Sequence, residues 1–287
     1  MIFVRLVGGL GNQLFQYACA RALALRHGVD VVLDTRELAR GAAHAVYGLD
    51  RFAISARTGE QDELPPARGR MIPYALWRAG LMRPRFLRER GLGLNPDVLS
   101  AGDDCYLHGY FQSEGYFRDQ AAVIREDLRI LAAPEGENAR WLDRMEAEPR
   151  AVSLHVRRGD YVGSAKGAAV HGTCDAAYYA RAVERIRERA RIDPLLFVFS
   201  DDPIWARDNL RPGAEMVVLD HNSASAAVED LRLMGACRHH IIANSSFSWW
   251  GAWRNPSPDK VVVAPARWFA DPRLDNPDIC PPEWMRI

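Results

Sequence analysis

Apolar residues in this chain fall into short continuous runs that alternate with longer stretches of helical period. Residues 2–7 (IFVRLV) form the first run. The loop Gly8-Gly9-Leu10-Gly11-Asn12 follows, then a helical pattern over 13–27 and a second apolar run over 29–34. Strand, glycine loop, helix and strand in that order predict a β-loop-α-β unit of a parallel sheet. Further apolar runs at 151–156, 195–200, 216–220, 240–243 and 261–264 are separated by helical patterns. In one of these Asp175 is placed to cap a helix reaching 191, with Tyr179, Val183, Ile186 and Ala190 on one face. Such alternation predicts a doubly wound α/β fold whose ligands bind outside the carboxyl ends of its strands.

The middle of the chain reads less clearly. Residues 40–104 are weakly periodic and rich in Gly, Pro and Arg; 106–110 is a short strand candidate and 116–132 a helix candidate. The segments APEGE and AEPR interrupt the pattern between 133 and 150. They suggest two domains, 1–140 and 141–287, with no internal repeat.

Composition narrows the possibilities. With 48% apolar and 26% charged residues the chain is a folding one, and its 37 basic and 37 acidic side chains balance, which argues against a protein that coats nucleic acid. Five widely spaced cysteines without C-x-x-C read as reduced thiols. No run approaches the ~18 apolar residues of a membrane span, and the first residues lack the order of a signal peptide, so a cytoplasmic protein is expected. All but two of the basic residues, Lys166 and Lys260, are arginine, so each arginine must be judged by its position.

Three clusters can carry chemistry. Gly9-Leu10-Gly11 after a strand invites a dinucleotide reading, with Asp34 ending the next strand, but Leu14 stands where the third glycine belongs. Asn12 and Gln13 beside a helix start can instead hydrogen-bond an anionic or hydroxyl-rich ligand, or simply make a tight turn. The second cluster is His155-Val156-Arg157-Arg158-Gly159-Asp160-Tyr161, where His155 and Arg157 share one face of a strand end. Two guanidiniums there can clamp a diphosphate, with Asp160 orienting one of them; the plain alternative is a surface ion pair. The third is Asn244-Ser245-Ser246-Phe247-Ser248-Trp249-Trp250-Gly251-Ala252-Trp253. Its hydroxyls and amides can cradle phosphate or cap the following helix, and its tryptophans read as core. Cys237, His239 and His240 lack the fourth ligand and spacing of a zinc site, so no metal is expected.

Together these segments resemble the α-1,2-fucosyltransferases of glycosyltransferase family 11 nearly end to end: VGGLGNQLFQYACARALA, LHGYFQSEGYF, HVRRGDYV, FVFSDDPIWARDNL, LDHN, EDLRLMGACRHHIIANSSFSWWGAW and VVVAPARWF. The resemblance implies an α/β, GT-B-like fold of two facing Rossmann-like domains, the active site in the cleft between them. The first domain would bind the acceptor and the second GDP-fucose. It further implies inverting transfer of L-fucose to the 2-hydroxyl of a terminal galactoside in a surface glycan. Arg157 would stabilise the leaving β-phosphate, with His155 and Arg158 in support. Ser245 and Ser246 would meet the diphosphate, with Asn244 and Phe247 beside them; Asp230 would read guanine and Asn12 would face the reacting fucose. Arginine replaces a metal in this scheme, and the chain has no Asp-x-Asp.

The base does not transfer, because Ala165 stands where the related α-1,6 enzymes carry glutamate. Asp160, His171 and a late proton transfer to the β-phosphate remain as candidates. An α-1,6-type or other nucleotide-sugar transferase, and a non-catalytic GDP-sugar binding module, are the alternatives. Residues 68–90 hold seven arginines against one acid, Glu89, interleaved with Tyr74, Trp77, Phe86 and Leu87. That pattern suits either a solvated segment or a peripheral contact with an anionic membrane.

Overall fold

The computed structural model describes residues 1–38, 46–67, 69–159, 169–170 and 172–287. They form two compact units, Met1–Leu131 with Asn276–Pro281, and Ala132–Asp275 with Pro282–Ile287. The division falls at 131 and not at 140. Residue 140 lies inside helix α5 (Gly136–Ala147), which buries Met145 against the second unit's core and therefore belongs to it.

The first unit is built on a five-stranded parallel sheet ordered β3-β2-β1-β5-β4, with β1 Ile2–Arg5, β2 Val31–Asp34, β3 Arg57–Thr58, β4 Arg85–Arg88 and β5 Cys105–His108. Helix α1, Leu10–His27, begins three residues before the expected start and packs on β1. It ends where Gly28 turns left-handed at φ 64°, a conformation glycine adopts without steric cost. Helix α2 (Met71–Arg78) and α3 (Pro96–Leu99) precede β5, and α4 (Ala121–Asp127) follows it. The long helix expected over 116–132 is absent. Two 3-10 turns, Glu114–Tyr116 and Arg118–Gln120, precede α4, which ends at Asp127, and beyond it Ile130 forms an isolated antiparallel bridge with Phe52.

The second unit holds a six-stranded parallel sheet ordered β11-β10-β9-β6-β7-β8, with β6 Ala151–Val156, β7 Leu195–Ser200, β8 Glu215–Leu219, β9 His239–Ile241, β10 Val262–Ala264 and β11 Met285–Arg286. Its helices are α6 (Ala176–Ala190), α7 (Pro203–Asn209), α8 (Ala227–Ala236) and α9 (Ser246–Arg254), after α5. Side chains alternate across the strands. Val152, Leu154, Val156, Leu196 and Val198 pack with Tyr179, Val183 and Ile186 of α6. Ala151, Leu195, Phe197 and Phe199 pack with Met145 of α5 and Leu233 and Met234 of α8. Both faces are covered, so β6 is buried at every position and apolar at all but Ser153 and His155. Asp175 caps α6, its carboxylate accepting from the Tyr178 N–H at 2.6 Å, and Arg191 closes the helix in the left-handed region. Trp249, Trp250 and Trp253 are core residues, all but inaccessible, and Trp249 packs on Trp284 at 5.2 Å.

Candidate functional site

In the second sheet the chain enters at the central β6, winds outward through β7 and β8, then returns to the other side of β6 with β9. The crevice at such a reversal, outside the carboxyl ends of β6 and β9, is the ligand position of this topology. The sequence places Arg157 and Arg158 directly after β6 and residues 242–247 directly after β9.

Arg157 is held by a neighbour that sequence reasoning did not assign. Asp201, just past the end of β7, lies 3.1 Å from Arg157 Nη1 and also accepts from the backbone N–H groups of Arg158 and Gly159, at 2.8 and 3.1 Å. One carboxylate thus shapes the turn and aims the guanidinium, whose side chain remains 28% exposed. Gly159 permits this approach, since a Cβ there would stand 2.9 Å from the Asp201 carboxylate. Asp201 orients this guanidinium; Asp160, for which an orienting role was expected, and His171 lie outside the described residues. Arg158 is stacked over the Trp205 ring at 3.9 Å, its Nε 3.6 Å from Asp202. Asp202 in turn caps α7 through the Trp205 N–H. Two adjacent acids immediately after an apolar run are visible in the sequence, but which arginines they meet is not.

His155 is buried. Its carbonyl accepts from Tyr179 and its ring lies 5.8 Å from that of Phe247, while its Nδ1 has no hydrogen-bond partner among the described residues. Burial, and secondarily the charge of Arg157, push its pKa down to about 3, so it is a neutral imidazole. Across the reversal, Ser245 occupies the N-cap position of α9 but its hydroxyl makes no cap bond, so plain helix capping does not explain the serine. Asn244 is buried and its amide donates to the carbonyls of Trp268 and Gly172, at 3.2 and 3.4 Å, tying two loops to the end of β9.

Asp230 sits in the first turn of α8, which follows β8, two strands out from β6. It accepts from Asn222 Nδ2 at 2.8 Å; Asn138 of α5 accepts in turn from Asn222 and from His221, both at 2.9 Å. This polar network was not foreseen, because it joins residues from three separate segments. Burial raises the Asp230 carboxyl to about 6, outweighing the Asn222 bond and the neighbouring His221.

The first sheet has its own reversal, between β1 and β5. Gly8, after β1, takes φ +80°, and a Cβ there would come within 2.6 Å of Asn12 Nδ2. Asn12 accepts from Gln112 Nε2 at 2.7 Å. Gln16 accepts from the Val7 N–H and donates to the carbonyls of Val7 and Gly109, which fixes the two loops against each other. Phe111 is fully buried at φ 54°, a strained region for a bulky residue, and Glu89 holds it there by accepting the N–H groups of Tyr110 and Phe111. The backbone before Gln112 is thereby fixed. Asp34 is not a free ribose ligand. It is paired with Arg36 at 2.7 Å and accepts from the Tyr106 hydroxyl at 2.7 Å.

Cys237, His239 and His240 serve the fold. His240 is bonded by Ser153 and Asn255, His239 accepts the Val261 N–H, and Cys237 faces the Leu233 carbonyl. Among the described residues no cluster of metal-ligating side chains occurs.

The chain is similar over its whole length to an alpha-1,2-colitosyltransferase of Escherichia coli, at 31% identity and covering 99% of that protein. It is 31% identical to the mouse (Mus musculus) galactoside alpha-(1,2)-fucosyltransferase 2 across 86% of this chain and 66% of that one. A mutant of Arabidopsis thaliana FUT1 in complex with GDP has the same fold, with a TM-score of 0.52 at 11% identity, over 91% of this chain and 69% of that one. That likeness and the two parallel sheets make the architecture α/β and GT-B-like, with two Rossmann-like units. Residues 87–287 match the model of glycosyl transferase family 11; with the end-to-end similarity to the colitosyltransferase, this shows that the chain is a glycosyltransferase and belongs to family 11.

Proposed function

We propose that the enzyme transfers L-fucose from GDP-fucose to the 2-hydroxyl of a terminal galactoside, with inversion at the anomeric carbon. The observation that carries the reading is Arg157, aimed by Asp201 at the end of β6, opposite the start of α9 whose N-cap serine makes no side-chain cap. A guanidinium and a helix N-terminus at one sheet reversal suit a diphosphate leaving group. As the acceptor oxygen attacks the anomeric carbon, the bond to the β-phosphate breaks and its electron pair stays on the phosphate. Arg157 meets that charge where it develops, and this stabilisation is greatest in the transition state. Ser245, Ser246 and Phe247 complete the nucleotide side, and neutral His155 offers Nδ1 to it. Asp230, facing the two adjacent N–H groups of guanine, selects the base. Asn12, held by Gln112, faces the transferred sugar. The acceptor's proton goes to Asp160, to His171 or to a phosphate oxygen. Positive charge for the leaving group comes from the protein, so turnover survives EDTA.

A second donor is favoured by one specific observation, the full-length similarity to an alpha-1,2-colitosyltransferase. Colitose is L-fucose without the 3-hydroxyl, so the same leaving group and linkage serve both. GDP release is measured with GDP-fucose and with GDP-colitose over a panel of galactosides, and the product linkage is read by NMR. Turnover of GDP-fucose to an α-1,2 product is expected. Efficient turnover of GDP-colitose alone assigns the second donor, an α-1,6 product refutes the linkage, and GDP binding without turnover of either donor refutes the enzyme reading.

A further inference from the structure

The arginine-rich stretch of the first unit carries an exposed surface to which the proposed function assigns no residue. Residues 64–88 contain no acid. Helix α2 and the turn after it are anchored on one side only. Trp77 is buried, donates to the Pro84 carbonyl at 2.7 Å and packs edge-on against Phe86 and Tyr106. The other side is bare. Met71 is 79% exposed, Ile72 75% and Leu81 72%, with Leu76 and Met82 also open to solvent. Ile72 and Leu76 stand one turn apart on the same helical stripe. Elsewhere in the described residues exposed large apolar side chains are scattered; here five fall within twelve residues of chain. Scattered ones need no account, whereas a contiguous group marks a contact surface.

Charge says what covers it. Arg70, Arg78, Arg83, Arg85, Arg88 and Arg90 are all exposed around the same segment. Arg78, Arg85, Arg88 and Arg90 line an open groove of about 550 Å³ along the edge strand β4. The acids nearby are few. Asp97 and Asp104 stand 3.9 Å from Arg90 and Arg83, weak contacts between exposed groups, and Glu89 is engaged by the backbone of Tyr110 and Phe111. A second copy of the chain docked through this face by a two-fold axis would oppose arginine to arginine. An anionic interface that accepts apolar side chains matches both features.

We propose that α2, the turn through Met82 and the β4 edge form a docking surface for a bilayer bearing anionic lipid. Ile72, Leu76 and Leu81 enter the interface and the arginines meet the headgroup phosphates, an arrangement that joins two weak attractions into one stable one.

Sedimentation of the full chain with vesicles tests it, using phosphatidylcholine alone and an equal mixture of phosphatidylcholine and phosphatidylglycerol. Partition onto the mixed vesicles is expected to exceed that onto the neutral ones by about tenfold or more and to fall as salt rises. Arg85→Gln with Arg88→Gln should remove about tenfold of that partition, and Ile72→Asn with Leu81→Asn a comparable factor. All four positions are exposed, so unchanged thermal midpoints are expected and separate loss of docking from loss of fold. Equal partition onto both vesicles, no partition onto either, or variants that bind like the parent would overturn the proposal. So would a concentration-dependent dimer that the Ile72→Asn, Leu81→Asn variant abolishes while vesicle binding is absent.

Discussion

Arg157 and Asp230, the two charges given to the donor in the proposed function, sit in opposite surroundings. Arg157 keeps a strong partner, Asp201, and a partly open guanidinium. Lysine keeps the charge but cannot hold Asp201 and a phosphate oxygen through one rigid fork. Arg157→Lys is therefore expected to lower kcat/KM by about 10²-fold, or ~3 kcal/mol, the size of a lost leaving-group donor; a near-normal value in steady-state kinetics excludes Arg157 from that role. Among the described residues Asp230 has Asn222 as its side-chain donor, and burial lifts its carboxyl from 3.8 to about 6. The folded protein thus holds this proton more tightly than the unfolded chain. The resulting stabilisation is complete below about pH 4 and is lost as pH rises through 6. Near neutrality the ionised carboxylate is a burden on the ligand-free fold. Asp230→Asn should raise the thermal midpoint near pH 7.5, with the gain shrinking toward pH 4, yet abolish the further rise that GDP gives the parent. A midpoint lower than the parent's near pH 7.5, or an undiminished response to GDP, contradicts the assignment.

At the scale of elements, the strands buried on both faces were the most legible. Residues 151–156 and 195–200 coincide with β6 and β7 because α6 covers one side and α5 and α8 the other, so all positions but Ser153, His155 and Ser200 are apolar. The α6 cap was legible for a similar reason, since a lone acid before a periodic run has one local task. Asp175→Ala should cost about 1 kcal/mol in urea unfolding while leaving donor affinity unchanged; a loss within error would mean that the N-terminus of α6 is satisfied without it. Helix α5 was missed because GENARWLDRMEA buries only Met145 fully and is otherwise polar. Of the site, the arginines and serines could be read directly, being adjacent in sequence. Asp201 could not. It reaches Arg157 only because β6 and β7 are parallel neighbours with Val156 paired to Ser200, which sequence spacing does not express. The Asn138, His221 and Asn222 network is hidden for the same reason. In the basic stretch the charge was visible in the sequence, but which apolar residues turn outward depended on Trp77 anchoring one face of α2.

At the scale of the whole molecule, the last residues serve both units in turn, so the two cores cannot be separated by one cut. Residues 276–281 return to the first unit, where Asn276 donates to the Gln112 carbonyl at 3.0 Å, Asp278 accepts the Leu94 N–H at 2.8 Å, and Ile279 is fully buried. The following six residues rejoin the second unit. There β11 extends the sheet beside β10, Trp284 covers Trp249, and Ile287 bonds Ala264 and Ala266 through its backbone. Gln112 is also the partner of Asn12, so the crossing segment supports the loop that holds the proposed sugar-facing asparagine. Deleting 276–287 would expose the Trp249 face and leave the Leu94 N–H and the Gln112 carbonyl without these partners. Uncovering one large aromatic contact alone costs about 3 kcal/mol, a large fraction of the stability of an ordinary domain. Hydrogen exchange read by mass spectrometry should then show faster exchange in both units of the shortened chain, around 94–112 in the first and 249–266 in the second. Asn276→Ala offers a milder version, with acceleration confined to the loop around Gln112. Acceleration in the second unit alone on deletion would show that residues 276–281 contribute nothing to the first unit, and that Gln112 holds Asn12 without them.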